Sequence, residues 1–144
     1  MPEIDWFYKG CDLDIVLVGL GADDRTIHYP EAVRKLIAFA IAAKPESLTG
    51  PEIHFLRKHL KLRRKELAKI LGFSREDIDA FEQGEAFMSP DQEAGLRRSF
   101  FMITGRNPPP IDDLRTWAMT RGEETSVYRV DVSDSANYRL LPRD

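Results

Sequence analysis

Apolar residues recur at helical spacing through the middle of the chain. In residues 51–103 they stand three or four positions apart with charged residues between them, which is the pattern of amphipathic helices. The stripes are Ile53, Leu56 and Leu60; Leu67, Ile70 and Leu71; Ile78 and Phe81; and Leu96, Phe100 and Ile103. They predict helices near 51–60, 64–71, 75–83 and 90–103. We expect the core of this bundle at Leu56, Leu67, Leu71, Ile78 and Phe81.

Capping residues mark where these helices begin and end. Thr49 can cap the first helix, with Pro51 in its first turn. Gly72 follows the second helix, where a left-handed conformation suits glycine. Ser74 can cap the third helix, and Asp77 lies in its first turn. Two short helices joined by a glycine-containing turn form a helix-turn-helix unit, so the pattern predicts one at 64–83.

The flanking segments carry strand patterns. Residues 15–20 read as a short buried strand, and 26–29 as its partner after a turn at 21–25. A helix follows over about 30–43. After the stiff proline-rich linker at 105–110, a helix is predicted at 111–119, and strands at 126–132 and 138–141.

These elements predict a mainly α protein in three segments. Residues 1–47 form a small α+β N-terminal segment, and residues 48–104 form the helix-turn-helix bundle. Residues 105–144 form a linker followed by a short β-rich tail, which we expect to provide a dimer interface. The tail and the N-terminal strand can pair across two chains or cover each other's edges.

Composition narrows the class of protein. The chain has 144 residues and a formal net charge of −3, which does not favour indiscriminate binding to nucleic acid or membrane. A lone cysteine, Cys11, excludes an intramolecular disulfide and a paired-cysteine zinc motif. The N-terminus lacks the pattern of a secretory signal, and the longest apolar run, 36–43, is too short to span a membrane. We therefore expect a cytoplasmic protein without a metal or cofactor.

The charge is unevenly distributed along the chain. Residues 51–111 carry eleven basic and nine acidic side chains, whereas the segments on either side are acidic. Within the middle segment, residues 57–69 hold seven Lys or Arg and one Glu. A basic segment of this kind favours an anionic partner.

The motif "ELAKILGFS", followed by Ile78, Phe81 and "EQG" at 82–84, resembles the Xre type of regulators, the lambda-repressor and Cro kind. The wider frame over about 48–103 is most similar to the C-terminal domain of MqsA-type antitoxins. The resemblance implies a helix-turn-helix fold and binding to double-stranded DNA. Those antitoxins carry zinc on two CxxC pairs, and this chain has only Cys11, so zinc is not implied for it.

The resemblance also implies which side chains meet DNA. Lys61, Arg63 and Arg64 lie near the helix junction and are the best phosphate candidates. Residues that match groove-facing positions, together with Gln83 in the "EQG" motif, complete the predicted site. The predicted DNA-binding set is Lys61, Arg63, Arg64, Ser74, Arg75, Glu76, Ala80 and Gln83.

The second helix of the motif is acidic, which is unusual for a segment that enters the DNA groove. Residues 75–84 contain one arginine and four acidic residues. Arg75 can bond guanine O6 and N7 in a bidentate manner, and Glu76 can accept a hydrogen bond from cytosine N4. The resemblance implies a structural role for Glu82. Specificity therefore depends on few side chains.

Two functions remain open at this point. The first is a transcriptional regulator that binds a pseudo-palindromic operator as a homodimer. The second is an antitoxin-type module that neutralises a cognate toxin, which the acidic flanking segments favour. An enzyme is not expected, because no nucleophile, base and orienting group occur together.

Overall fold

The computed structural model describes residues 3–6, 13–19, 29–121 and 127–142, which form six helices and four strands. The helices are α1 (Pro30–Ala42), α2 (Gly50–His59), α3 (Arg64–Leu71), α4 (Arg75–Gln83), α5 (Pro90–Ile103) and α6 (Ile111–Met119). The strands are β1 (Glu3–Trp6), β2 (Asp14–Val18), β3 (Val127–Asp131) and β4 (Arg139–Leu140). The fold is therefore rich in helix but mixed, because it also contains a small sheet.

Local capping interactions explain why the helix bounds agree with the prediction. In α2, Thr49 accepts a hydrogen bond from the Glu52 amide at 3.3 Å, and Glu52 accepts one from the Thr49 amide at 2.9 Å. Ser74 and Asp77 form the same reciprocal pair at the start of α4, with both distances at 3.1 Å. Gly72 ends α3 with φ of 77°, a conformation that costs glycine little.

The four strands form one sheet in the order β1-β2-β3-β4. β1 and β2 are antiparallel, β2 and β3 are parallel, and β3 and β4 are antiparallel. In the central pair, Ile15 lies opposite Tyr128 and Leu17 opposite Val130, and all four side chains are buried. The alternation of β2 and β3 therefore buries one face of the sheet.

The sheet groups the segments differently from the three-part division predicted from the sequence. The chain divides into a sheet unit, Met1–Ala40 with Thr125–Asp144, and a helical unit, Ile41–Glu124. The predicted N-terminal segment and tail thus contribute strands to one sheet. β3 pairs with β2 on one side and β4 on the other, so the tail strand covers an edge within its own chain. The predicted partner strand at 26–29 lies outside the described residues except for Tyr29, which is not in a strand.

The helical unit is built by packing α4 against α2 and α3, and α5 against α3 and α6. Leu56, Leu67 and Ile78 are fully buried, as predicted, and Phe81 is buried at 8% exposure. Leu71 is only half-buried, so its predicted place in the core is wrong. The inward face of α3 is centred on Leu67 and the small Ala68 instead.

Two other apolar residues of the predicted stripes face solvent. Ile70 is 49% exposed and Ile103 is 51% exposed. Both lie in or near the last turn of a helix, α3 and α5 respectively, where fewer neighbouring elements cover the surface. Single exposed apolar residues of this kind are ordinary in folded proteins.

Gly50 allows the first turn of α2 to approach the end of α4. A Cβ atom at Gly50 would lie 2.5 Å from the Glu82 carbonyl oxygen and 3.0 Å from that of Phe81. These are backbone atoms, which cannot rotate away. Glycine is therefore required for the close packing of α2 on α4.

None of the helices in the described ranges combines the length and the apolar character that crossing a membrane requires.

Candidate nucleic-acid interface

A basic cleft of about 630 Å³ lies where α3 meets the last turns of α2 and the start of α4. Its walls are formed by Arg57, Arg63, Arg64, Lys65, Glu66, Lys69 and Arg75. Six of these seven side chains are cationic. Five of the seven cations in the basic segment at 57–69 thus line one depression, and Arg75 joins them from the next helix.

Arg57 has a structural role within this cleft. Its Nε lies 2.6 Å from Glu82 Oε2, and its second terminal nitrogen lies 3.1 Å from Glu82 Oε1. The first terminal nitrogen donates to the Leu62 carbonyl at 3.0 Å. Arg57 and Glu82 are both buried. This bidentate pair joins α2 to α4 and holds the turn that leads into α3.

Arg64 lies between two carboxylates of α4. Its Nε is 3.3 Å from Glu82 Oε1 and 3.5 Å from Asp79 Oδ1. These are ion-pair distances, but the buried Nε–H group makes no well-formed hydrogen bond to the described residues. The Arg64 side chain is 30% exposed, so part of the guanidinium still faces the cleft.

Arg63 is a widely exposed cation at the start of α3. Its side chain is 87% exposed, and its Nε donates to Glu66 Oε1 at 3.0 Å. The Arg63 amide donates to the same oxygen at 2.9 Å, and this backbone hydrogen bond is the main reason that the pKa of Glu66 is lowered. Lys65 and Lys69 are also exposed. Glu66 is the single anion among them.

Lys61 is exposed in the turn between α2 and α3, but it does not line the cleft. Its backbone has φ of 59°, a left-handed conformation that is uncommon outside glycine. The conformation lets the chain reverse within the few residues that separate the two helices. Lys61 is therefore placed beside the cleft by the turn and not by a helix.

The predicted contacts of α4 divide into two groups. Ser74, Arg75 and Glu76 stand together at its exposed N-terminus, next to α3. Ala80 is half-buried one turn later, and Gln83 is exposed at the far end, about 12 Å along the helix from Arg75. The Ser74 hydroxyl is the helix cap, so it already accepts a hydrogen bond from the Asp77 amide.

Sequence reasoning missed the positions of Arg57 and Asp79. The partners Arg57 and Glu82 are 25 residues apart, so no helical spacing rule connects them. The sequence carries one sign of this pairing: Glu82 lies on the face of α4 that Ile78 and Phe81 otherwise make apolar. A buried carboxylate needs a cationic partner, and the basic segment supplies it.

Burial also affects His54, which lies on α2 near the Arg57–Glu82 pair. Its pKa is lowered, mainly by desolvation and further by the nearby Arg57 and Arg64. Glu82 acts in the opposite direction. The His54 imidazole therefore takes up a proton less readily than a free histidine does.

A second cleft of about 750 Å³ lies elsewhere on the helical unit. Ile53, Phe81 and Met88 are among its apolar lining residues, and Phe87 on its rim is 87% exposed. The cleft is mixed in character and has no concentration of cations. It is therefore a weaker candidate for an anionic polymer than the basic cleft.

No family model, curated protein or solved structure matches the chain.

Proposed function

We propose that the protein binds double-stranded DNA as a helix-turn-helix transcriptional regulator. The observation that carries this proposal is the basic cleft beside the exposed N-terminus of α4. DNA-binding helix-turn-helix units place the second helix in the major groove with its first residues toward the base edges. In this chain α3, the Gly72 turn and α4 have the lengths and connection that such a unit requires.

The acidic composition of α4 is compatible with this role because three of its four acidic side chains are engaged within the protein. Asp77 caps the helix through the Ser74 amide. Glu82 is buried against Arg57, and Asp79 is paired with Arg64. In the free protein, Glu76 is the acid of this helix for which no hydrogen bond or ion pair is seen among the described residues.

Arg75 and Glu76 are the residues that we assign to base recognition. Both are exposed at the first two positions of α4. A bidentate contact from Arg75 to guanine contributes about 1–3 kcal/mol of discrimination. Ala80 lies four residues after Glu76, and Gln83 lies three residues after Ala80. This spacing puts all three on the same side of the helix.

Phosphate binding is assigned to the cations around the start of α3. Lys61, Arg63 and Arg64 lie there, and the amides at the start of a helix add a partial positive charge. Such contacts set affinity and orientation without reading sequence. One short recognition helix makes few base contacts, so we expect two copies of the chain on half-sites about 34–36 Å apart, or a multiple of that distance.

The salt dependence of binding tests this proposal. We would titrate a labelled duplex of about two helical turns with the protein at several salt concentrations and follow fluorescence anisotropy. The double variant Arg63→Ala/Arg64→Ala should weaken binding to every sequence. It should also flatten the salt slope by about one for each lost phosphate contact.

The matched control removes the same charge elsewhere on the helical unit. Arg98 and Arg121 are both exposed and do not line the basic cleft. Arg98→Ala/Arg121→Ala should leave the salt slope close to that of the wild type. Equal slopes for all three proteins would contradict the assignment of the cleft to phosphate.

The toxin-neutralising alternative has less support than DNA binding. It depends on the acidic flanking segments, which would attract a basic protein partner. In the sheet unit three of the acids are already paired: Glu3 with Arg129, Glu31 with Arg34, and Asp131 with Arg139. These pairs occupy carboxylates that a basic partner would otherwise contact.

A further inference from the structure

Asp79 and Glu82 contact the same arginine but differ in exposure. The side chain of Glu82 is 1% exposed, and both of its oxygens are already bonded to Arg57. The side chain of Asp79 is 55% exposed and lies 3.5 Å from Arg64 Nε. Glu82 is thus a fixed part of the core, whereas Asp79 holds Arg64 from the solvent side.

A contact of this kind is easily replaced. Asp79 is 55% exposed and Arg64 is 30% exposed, so water reaches the pair. An ion pair that water reaches is weak, because water screens it and both side chains lose freedom when they meet. A guanidinium prefers a partner that accepts two parallel hydrogen bonds, and a phosphate group provides this geometry. The Asp79–Arg64 contact, without hydrogen-bond geometry at Nε, does not.

We propose that Asp79 competes with DNA for Arg64. In the free protein the Asp79 carboxylate occupies the place beside Arg64 that a DNA phosphate oxygen takes in the complex. The inference rests on the proposed function, since it concerns regulation of the same site. The contact lowers affinity for all DNA sequences alike, because it acts on a phosphate-binding side chain. Sequence recognition through Arg75 and Glu76 then contributes a larger share of the total binding.

The effect of releasing Arg64 must be separated from the effect of removing a negative charge. Asp79→Asn does both. Glu85→Gln removes one charge from an exposed residue just beyond the end of α4, where no arginine contact is seen in the described part of the chain. The background variant Arg64→Gln leaves Glu82 paired with Arg57, so the helical unit should stay folded.

The experiment measures dissociation constants for a pool of random-sequence duplexes by anisotropy at low salt. It uses the full chain as wild type, Asp79→Asn, Glu85→Gln, Arg64→Gln and the double variant Asp79→Asn/Arg64→Gln. Thermal unfolding of each protein is recorded first. Asp79→Asn should bind about two- to fivefold more tightly than Glu85→Gln, the range expected for loss of an exposed ion pair. In the Arg64→Gln background this additional gain should disappear.

The outcomes separate this inference from the function on which it rests. If the wild type binds and Arg64→Gln weakens it, but Asp79→Asn gains no more than Glu85→Gln, the competitor role is refuted and DNA binding stands. A gain that persists in the Arg64→Gln background would also refute it, since the effect would then be simple repulsion. If no protein of the series binds any duplex, the proposed function and this inference fall together.

Discussion

The helical unit contains two sets of charged residues with opposite surroundings. In the buried set, Arg57 pairs with Glu82, Lys44 pairs with Glu52, and Arg97 pairs with Glu93. In the cleft set, Arg63, Lys65, Lys69 and Arg75 are exposed around one depression. The comparison shows that a cation in the sequence is not by itself part of the candidate interface. What matters is how many of the charges are already satisfied within the protein.

Arg97 shows how many partners a buried cation gathers. Its side chain is 0% exposed, and its guanidinium donates to the backbone carbonyls of Lys44 and Glu46 and to the Glu93 carboxylate. It also lies over the Trp117 ring, 5.6 Å from the ring centre. A buried charge needs this many partners because desolvation is costly. The cleft cations keep their water and can exchange it for a ligand.

The largest expected effect is loss of a cation from the buried set. Arg57→Ala should destabilise the protein by about 3–5 kcal/mol, because it leaves the buried Glu82 carboxylate with only the looser contact to Arg64. Arg63→Ala, an equal loss of charge in the cleft set, should change stability by less than about 0.5 kcal/mol. Chemical denaturation measures both. Equal losses of stability in the two variants would remove the distinction between the sets.

The next effect concerns the packing that brings Arg57 and Glu82 together. Gly50→Ala should destabilise the protein by about 1–3 kcal/mol, because the new methyl group meets the backbone of α4. Gly95→Ala in α5 is the matched control, since nothing lies within 4 Å of a Cβ atom there. It should stabilise the protein by about 0.5–1 kcal/mol through helix propensity. A neutral Gly50→Ala would show that α2 can move away from α4 at little cost.

Whether two interacting residues are near or far apart in the sequence decides what the sequence could predict. The bounds of α3, α4, α5 and α6 agree with the apolar spacing and the caps, since Ser74 and Asp77 interact within one turn. From the sequence, the tail strand and the N-terminal strand could pair across two chains or cover each other's edges. The parallel pairing of β2 with β3 within one chain could not be singled out, because it joins opposite ends of the chain and parallel strands leave no turn signal.

The candidate site was predicted in part. Local rules located its cations, but the burial of Arg57 and the pairing of Asp79 with Arg64 depend on how α2, α3 and α4 pack. The strand β1 was not predicted either. Its four residues are too few to establish an alternating pattern.

A smaller effect concerns how stability changes with pH. The contribution of Glu93, in the buried set, should change in the opposite direction to that of Glu66, in the cleft. Burial raises the pKa of Glu93 above its usual 4.5. The folded protein therefore holds this proton more tightly than the unfolded chain, and stability falls as pH rises through the folded pKa. Glu66 has a pKa below 4.5, so its contribution is present above 4.5 and is lost as pH falls through the folded pKa.

Unfolding free energies measured across the acidic range for the wild type, Glu93→Gln and Glu66→Gln check these signs. As pH rises, the unfolding free energy of the wild type should fall relative to that of Glu93→Gln. Over the same pH range, the unfolding free energy of the wild type should rise relative to that of Glu66→Gln. Two differences that move in the same direction would mean that the carboxylates share one kind of environment.

The most direct test of the proposed DNA binding is to map which amides a DNA duplex protects. Amide hydrogen exchange of the full chain would be compared with and without a saturating duplex. We expect added protection at the turn before α3 and at the starts of α3 and α4, around Lys61, Arg63 and Ser74 to Glu76. We expect no change at β3, whose amides pair within the sheet. Protection confined to the sheet unit, or to the cleft around Phe87, with none at the start of α4, would contradict the account.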